Sequence, residues 1–543
     1  MTGFEYGDWH TYGRHGSQCP RGQFYFNNLY TNDGFADYLL GLPSSSCRNY
    51  PLTTFGLDRA PYTAYYLQDT WRPKANISIW LGVRYERWLA HHNVNAAAAT
   101  WDPQKGMDVT EVQSNGQPNL NAFPITPFLA AATQGLWTTA RQVGYPDGLY
   151  QPNGNWAPRV GVAYRPWAQK GFVVRGGYGI YYNSFTGNRG GSATGNVPFW
   201  TIESQTIGLT TLQNWQTMWP ANPSAFTAFQ VYAPAYNIRP ARTHEWNVSL
   251  QTALPFKSAL TVSYVGTLVG NEVGADQYNE ATIGPHKNLQ ADRPHPAYSG
   301  VQVYHNFGRN WYNGLQTKIE RRFDAGLAFT FAYSYSRSME SNTPDCETCS
   351  LIPYSPSWYN RGRTPFDFRH IEYATIVWDV PVGRSRKYLS NMNRFADLLL
   401  GGWELAATEQ AQSGAPLTIY GGLNNLGNGW GTRANLVGNP AIANPSPAAW
   451  FNTKAFVTPP LYTFGSAGMG ILDGPGVLGI NTSLAKNFYV TEQKFFQFRW
   501  ESYNLPNRVN YNNPDTTVTD TAFGRITGAG SARYMQLALK FIF

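Results

Sequence analysis

The last eleven residues alternate between two kinds of side chain. Large apolar side chains occupy Met535, Leu537, Leu539, Phe541 and Phe543. The even positions between them are mostly polar or small. Because successive side chains of a strand point to opposite faces, this pattern predicts a C-terminal strand with one apolar face and one more polar face.

The same two-residue period recurs along the chain. From residue 327 to 336, the odd positions are large and apolar or aromatic, and the even positions are small or hydroxylic. Similar alternation is present at residues 77–86, 172–183, 246–251 and 496–501. Strands of a membrane barrel have this pattern because they separate lipid from water. A soluble β-sandwich has it too, with the apolar face buried, so the alternation alone leaves both folds open.

Loop lengths favour the barrel. Short turns are expected at residues 73–76, 168–171, 254–257 and 324–326. Long segments rich in Gly, Asn, Pro and Trp separate these hairpins, at residues 90–155, 184–242, 270–310 and 421–475. Loops of this length are unusual in a compact soluble domain. Outer-membrane barrels combine short periplasmic turns with long extracellular loops, so we predict an all-β, antiparallel up-and-down transmembrane β-barrel.

About fourteen strands are visible in the pattern. They are expected to start near residues 22, 62, 76, 157, 171, 243, 258, 310, 326, 366, 402, 478, 495 and 533. A complete plugged transporter has 22 strands, so this number predicts a partial barrel. Lipid does not tolerate unpaired strand edges. Three alternatives follow: closure into a smaller barrel, pairing with a missing portion, or a fragment that does not function alone.

Composition is consistent with a membrane barrel. Aromatic residues make up 15% of the chain and charged residues 14%, and Tyr and Trp suit the two membrane interfaces. The mean hydropathy of −0.39 and the absence of any run of about 18 apolar residues exclude a spanning helix, but not spanning strands. The net charge is +8. Its Lys and Arg residues are scattered, so nucleic-acid binding is not expected.

Several short motifs carry a family resemblance. They are residues 35–43 (FADYLLGLP), 65–71 (YYLQDTW), 81–86 (LGVRYE), 366–370 (FDFRH), 401–405 (GGWEL), 412–418 (QSGAPLT), 450–456 (WFNTKAF), 486–488 (KNF), 491–493 (TEQ), 498–505 (FRWESYNL) and 523–527 (FGRIT). In this order they resemble the barrel of TonB-dependent outer-membrane receptors. The Oar-like group, whose members carry a carboxypeptidase-regulatory-like domain, is the most similar.

The resemblance implies a location in the bacterial outer membrane and a receptor or transporter function. It implies assembly by the barrel assembly machinery, with Phe541 and Phe543 in the C-terminal assembly signal. Members carry a signal peptide, the regulatory-like domain and a plug before the barrel, and none of these is recognisable here. We therefore expect a C-terminal portion, with the first strand or strands, a loop and a short helical turn in residues 1–60 and the main barrel in residues 61–543. The TonB system would be a partner only if a plug precedes this chain.

Two other functions remain open at this stage. One is a passive pore or a structural outer-membrane protein. The other is a secreted soluble β-protein that binds carbohydrate. For a receptor, the aromatic and Asn-rich loops suit carbohydrate or peptide ligands through stacking and hydrogen bonding.

Charged residues within the strands are predicted to form ion pairs on a wet inner wall. The candidate lumenal charges are Arg84, Glu86, Arg175, Lys318, Glu320, Arg499 and Glu501. Six strand glutamates could also be considered as glycosidase acids: Glu86, Glu245, Glu320, Glu372, Glu404 and Glu501. No pair of them can be placed at a catalytic separation. We predict no enzymatic activity, no catalytic residue, no metal site and no cofactor.

The four cysteines allow two disulfides. Cys346 and Cys349 form a C-x-x-C motif within a long loop. This motif favours a local disulfide, with free thiols or a metal or redox role as alternatives. Cys19 and Cys47 lie too far apart in sequence to complete a four-cysteine zinc site. They are a second candidate disulfide, which an exported protein permits.

Overall fold

The computed structural model describes most of the chain. It describes residues 1–543 except 16–18, 20–21, 28, 51–53, 90–91, 124–125, 146–152, 168–170, 184–191, 207–213, 217–227, 342–350, 385, 423 and 492. Fourteen long strands dominate the described residues. They are β1 Thr2–His15, β2 Thr54–Lys74, β3 Ile77–Trp88, β4 Asn153–Tyr164, β5 Val173–Asn183, β6 Ala241–Leu254, β7 Ser258–Gln277, β8 Tyr298–Asp324, β9 Leu327–Glu340, β10 His370–Asp379, β11 Trp403–Gln412, β12 Val477–Tyr489, β13 Phe495–Tyr503 and β14 Tyr534–Ile542.

The fourteen strands form one sheet, in which each strand pairs antiparallel with the next along the chain. This is the up-and-down order of a membrane barrel. Among the described residues no ladder joins β14 to β1, so the sheet is open. The fold class and the number of strands agree with the prediction from the sequence.

Connections alternate between two rims of the sheet. The short-turn rim holds the connections after the even-numbered strands. Between β8 and β9 the turn is only Ala325 and Gly326, both at positive φ (49° and 79°), which is the turn geometry that matches strand twist. The long-loop rim holds the connections after the odd-numbered strands. The connections after β3 and β11 each exceed sixty residues.

The strand register separates two continuous faces. In the last pair, Trp500 lies opposite Leu537 on one face, while Glu501 lies opposite Gln536 on the other. The face that carries Trp500 and Leu537 is called the apolar face. The strand pairings extend it through all fourteen strands. One residue per strand illustrates it: Phe4, Tyr65, Leu81, Val160, Tyr178, Val248, Tyr264, Leu315, Phe329, Ile376, Leu405, Leu484, Phe498 and Leu539. The opposite side is called the polar face.

Short elements fill the connections. The described helices are α1 Gly34–Leu39, α2 Thr126–Ala132 and α3 Arg394–Leu400, with 3-10 turns at Ala140–Val143, Ser192–Gly195 and Thr453–Ala455. The short strands are Gln23–Tyr25, Ser45–Tyr50, His92–Asn93, Ala99–Asp102, Met107–Thr110, Trp137–Thr139, Thr201–Thr206, Phe229–Pro234, Gly362–Arg363, Pro416–Leu417, Tyr420–Gly422, Thr432–Arg433, Asn435–Leu436, Phe456–Val457 and Leu472–Asp473. Within the described part of the chain, no helix has the length and apolar character needed to cross a bilayer.

The long loops fold into packed clusters. One cluster buries Trp101, Val197, Phe229, Val231, Ala233, Tyr298, Val301 and Val303. Another buries Ile419, Ala434, Phe451, Ala455, Phe456 and Ala467. Each cluster joins residues that are far apart in sequence, so the long-loop rim has small hydrophobic cores of its own.

Three boundaries differ from the sequence prediction. The strand expected near residue 22 is only Gln23–Tyr25, in a small separate sheet, and the first wall strand is β1. Glycines and charged residues interrupt the alternation of aromatic residues in β1, so the sequence pattern did not indicate this strand. The division at residue 60 falls inside β2, because pairing with β1 continues past Pro61. The loop expected at 270–310 is shorter, because β7 and β8 stay paired around a bulge as far as Gln277 and Gln302.

Candidate ligand pocket on the long-loop rim

Three loops enclose a pocket of about 380 Å³ on the long-loop rim. These loops follow β9, β11 and β13. The pocket is lined by Glu340, Ile352, Tyr359, Asn360, Arg363, Pro365, Pro416, Leu417, Thr418, Tyr420, Arg433, Met469, Asn513, Pro514 and Thr516. Its volume is within the range of small-molecule sites, and its wall mixes apolar surface with a few polar groups, as such sites do.

Arg433 is the buried cation of this pocket, with only 5% of its surface exposed. Its guanidinium lies 3.5 Å from the centre of the Tyr359 ring. Its Nε donates to the Ala467 carbonyl at 2.7 Å and its Nη1 to the Tyr359 carbonyl at 2.6 Å. Burial lowers the pKa of Arg433, and among the described residues no carboxylate offsets this. A buried guanidinium held by carbonyls and an aromatic ring is suited to bind an anionic or acceptor group.

Arg363 is held differently. Its Nε pairs with Asp367 at 2.6 Å and its Nη1 with Asp473 at 2.7 Å. Burial lowers the pKa of Arg363, but its hydrogen bonds and charge interactions with these two carboxylates outweigh that effect, and the pKa is raised overall. Because Arg363 is neutralised within the protein, Arg433 is the better candidate for a ligand contact.

Tyr420 and Glu340 complete the chemistry of the pocket. Tyr420 is 49% exposed and presents an aromatic surface at the pocket wall. Glu340 is buried at the end of β9 and lines the same pocket. The site therefore combines a cation, a carboxylate and an aromatic wall, and it fits a ligand that carries both acceptors and donors.

The predicted lumenal charges all lie in wall strands on the polar face. Three neighbouring pairs are in contact. Arg84 Nε lies 2.6 Å from Glu86 Oε1, Lys318 Nζ 2.6 Å from Glu320 Oε2, and Arg499 Nη1 3.4 Å from Glu501 Oε1. The seventh, Arg175, donates to Gln251 at 2.6 Å. That this face borders water remains a prediction from barrel architecture.

The six strand glutamates divide between the two faces. Glu86, Glu245, Glu320, Glu404 and Glu501 lie on the polar face. Glu372 is the exception, because it lies opposite Tyr333 and Ala411 on the apolar face.

Cys19 and Cys47 form a disulfide. It links the loop after β1 to the strand Ser45–Tyr50. Cys346 and Cys349 lie outside the described residues. At the C-terminus, the Phe541 ring packs against Phe496 at 4.7 Å and against Phe543 at 5.7 Å, and the assembly role of Phe541 and Phe543 remains a prediction.

Sequence reasoning missed a group of buried carboxylates formed by the loop after β3 and the start of β2. Both carboxylate oxygens of Glu111 accept the Asn93 backbone N–H, at 3.0 and 3.1 Å. The Asn93 side chain donates to Asp58 at 3.0 Å. Burial raises the pKa of Glu111 well above its usual value, and the nearby Asp58 charge adds to this. Burial also raises the pKa of Asp108 well above its usual value. A single charged residue between Thr110 and Val112, as Glu111 is, gives no sequence signal for such burial.

We expect the stability of this loop to fall as pH rises. An acid whose pKa is raised by folding stabilises the folded state. This stabilisation is complete at pH values below the pKa of the unfolded chain, about 4.3 for glutamate. That stability is lost as pH rises through the folded pKa. Glu111→Gln removes one such group, so hydrogen exchange of residues 92–112, corrected for intrinsic rates, should depend less on pH. Asp520→Asn, at an exposed loop carboxylate, serves as control. An unchanged pH dependence in Glu111→Gln would contradict this explanation.

The fold and the loop pocket define an outer-membrane β-barrel protein: an antiparallel wall with one continuous apolar face, short turns at one rim and folded loops at the other. A protein family described as the outer membrane beta barrel domain matches residues 1–536. The chain therefore belongs to this family and is located in the bacterial outer membrane. This location excludes the secreted soluble protein considered from the sequence.

Three solved transporter structures are similar to this chain. The FrpB iron transporter from Neisseria meningitidis shares 11% sequence identity, with 99% of this chain and 52% of that chain covered and a TM-score of 0.42. The ferric citrate transporter FecA in its unliganded form shares 10% identity, with 100% and 55% covered and a TM-score of 0.41. The outer membrane transporter YddB from Escherichia coli shares 9%, with 92% and 55% covered and a TM-score of 0.41. The chain spans about half the length of these proteins. No curated protein matches it.

Proposed function

We propose that the chain is the barrel of a TonB-dependent receptor of the Oar-like group, and that it captures an extracellular ligand in the three-loop pocket. The ordered sequence motifs support the family assignment. The pocket supports ligand capture, because it lies on the long-loop rim, which faces the outside in outer-membrane barrels. Energised uptake would require a plug and a TonB-contacting segment in addition to the residues of this chain.

The observation that carries the proposal is Arg433. A guanidinium this deeply buried is stabilised by a negatively charged partner. Two backbone carbonyls and the Tyr359 ring hold the Arg433 guanidinium, but they do not neutralise its charge. A carboxylate from outside would complete the site. Together with Tyr420 for stacking, this favours a peptide or a carbohydrate that carries a carboxylate.

The same proposal assigns roles to the other candidate residues. The paired charges of the polar face line the lumen, where water and ions reach them. Phe541 and Phe543 belong to the signal by which the barrel assembly machinery recognises the last strand. Both assignments are based on the resemblance to barrel receptors.

Calorimetric titration of the purified barrel tests the pocket. The probes are short peptides with a free C-terminal carboxylate or a C-terminal amide, and oligosaccharides with or without uronic acids. We expect binding of at least one carboxylate form and weaker binding of its neutral counterpart. Tyr420→Ala should lower that affinity about two- to tenfold, since an aromatic contact contributes about 0.5–1.5 kcal/mol.

Tyr462→Ala is the matched control, because Tyr462 is also a partly exposed tyrosine of the same loop but lies outside the pocket lining. Equal losses from both variants, or no binding of any probe, would contradict the pocket assignment. Steady conductance of the chain in a planar bilayer, unaffected by the probes, would instead favour a passive pore.

A further inference from the structure

The connection between β10 and β11 carries an amphipathic surface on the short-turn rim. Residues 380–402, named here the rim segment, contain the helix α3. The Asn393 side chain caps its N-terminus by accepting the Ala396 N–H at 2.8 Å. At its other end, the Gly401 N–H donates to the Asp397 carbonyl at 2.9 Å. The helix is short, so its position depends on contacts with the wall.

Apolar side chains of the rim segment point away from the rest of the protein. Phe395 is 83% exposed and Leu399 is 70% exposed. Further large apolar residues of the segment are also exposed: Tyr388, Leu389, Leu398 and Leu400. Six neighbouring large apolar residues in water would be a costly surface, so this patch requires an apolar partner.

Contacts with the wall place the C-terminal end of the helix beside the apolar face of the sheet. Lys486 lies on the apolar face of β12, in line with Leu484 and Phe488. It is almost fully buried, and its Nζ donates to the carbonyls of Asp397 and Gly401 at the end of the helix. Trp403, opposite Lys486 on β11, donates from Nε1 to the Leu399 carbonyl at 2.9 Å. The helix therefore lies where the apolar face meets the rim.

The rim segment is also strongly basic. It contains Arg384, Arg386, Lys387 and Arg394, all exposed, against a single acidic residue, Asp397, for a net charge of +3. The Asp397 carboxylate accepts the Arg384 N–H at 2.7 Å. An exposed apolar patch beside four exposed basic side chains is typical of helices that lie in the headgroup layer of anionic membranes.

We infer that the rim segment is a membrane-surface anchor, which binds anionic phospholipids of the periplasmic leaflet. The apolar face contacts acyl chains, and the short turns of such barrels face the periplasm. The exposed side chains of α3 continue this face into the headgroup layer, while the four basic residues reach lipid phosphates. A second copy of the chain or a soluble periplasmic protein would have to displace lipid from the same place. This inference rests on the membrane barrel and is independent of the ligand pocket.

Photolabelling of the full chain in vesicles tests the inference. The vesicles contain phosphatidylcholine with or without phosphatidylglycerol, and a trace of a phospholipid that carries a diazirine near its headgroup. We expect lipid adducts on residues 388–400. The adducts should be about fivefold more abundant with phosphatidylglycerol, because one basic residue increases binding to an anionic surface by about this factor. Adducts on the strand β9 report correct insertion in every sample.

Two sets of variants separate the contributions. Phe395→Ser with Leu399→Ser should remove most adducts from residues 388–400. Changing all four basic residues to glutamine should leave the adducts but abolish the preference for phosphatidylglycerol. Phe35→Ser with Leu39→Ser is the matched control, because α1 has nearly the same sequence but belongs to the long-loop rim. This control should leave labelling of the rim segment unchanged.

Three results would overturn the inference. The first is the absence of adducts on residues 388–400 while β9 is labelled. The second is equal labelling in both lipid mixtures by the unmodified chain. The third is labelling of residues 388–400 that Phe395→Ser with Leu399→Ser leaves unchanged.

Discussion

Leu537→Arg should prevent stable insertion of the barrel. Leu537 lies in the middle of β14 on the apolar face, opposite Trp500, with 71% of its surface exposed. In a membrane this surface contacts acyl chains, and an arginine near the bilayer centre costs about 2–4 kcal/mol. The refolded variant should lose the compact, heat-modifiable band that folded barrels show in electrophoresis.

Gln536→Arg is the matched control, one residue away on the polar face. Gln536 Nε2 donates to Glu501 Oε2 at 3.1 Å, so an arginine at this position gains a carboxylate partner. The variant should fold as the parent chain does. Equal loss of the folded band in both variants would mean that the two faces do not meet different media, and the membrane interpretation of the wall would fail.

The wall could be predicted from the sequence because its signal is local. Each strand needs only alternate residues of two kinds, and a shift by one residue would turn every apolar side chain to the wrong face. The alternation at residues 327–336 therefore indicated both β9 and its apolar face. The prediction was wrong for the first wall strand, where Gly3, Glu5 and Gly7 share the polar face but the apolar side is interrupted at Asp8.

The pocket could not be predicted in this way, because its parts come from three distant loops. Arg433 lies in a short strand flanked by small residues, and its partners Tyr359 and Ala467 are 74 and 34 residues away. No local pattern indicates such contacts. The buried Glu111 is a similar case, since its burial depends on Asn93 and Asp58 rather than on its neighbours in sequence.

One motif of the family resemblance gains a physical explanation from the pocket. Residues 412–418 read QSGAPLT, and Gly414 is in their middle. A Cβ atom on Gly414 would lie 1.7 Å from the Gly474 carbonyl oxygen. The two backbones approach this closely because Gly474 donates to the Ala415 carbonyl at 2.8 Å, next to the ladder that pairs Pro416 with Asp473. Pro416 and Leu417 then line the pocket.

Gly414→Ala should therefore open the pocket while leaving the wall folded. The clash is with backbone, which cannot rotate away, so the cost should reach or exceed the roughly 1–3 kcal/mol of ordinary overpacking. Proteolysis of the loop at residues 413–476 should become about tenfold faster, as about 1.4 kcal/mol of local destabilisation predicts. Binding of any carboxylate probe should be lost with it.

Gly479→Ala separates this effect from a general intolerance of substituted glycines. Gly479 lies in β12, and a Cβ atom there would meet nothing within 4 Å. This variant should keep both the heat-modifiable band and the slow proteolysis of the parent chain. If Gly414→Ala also kept slow proteolysis and full probe binding, the close contact between the two loop ends would not shape the pocket. The ligand would then have to be sought elsewhere on the long-loop rim.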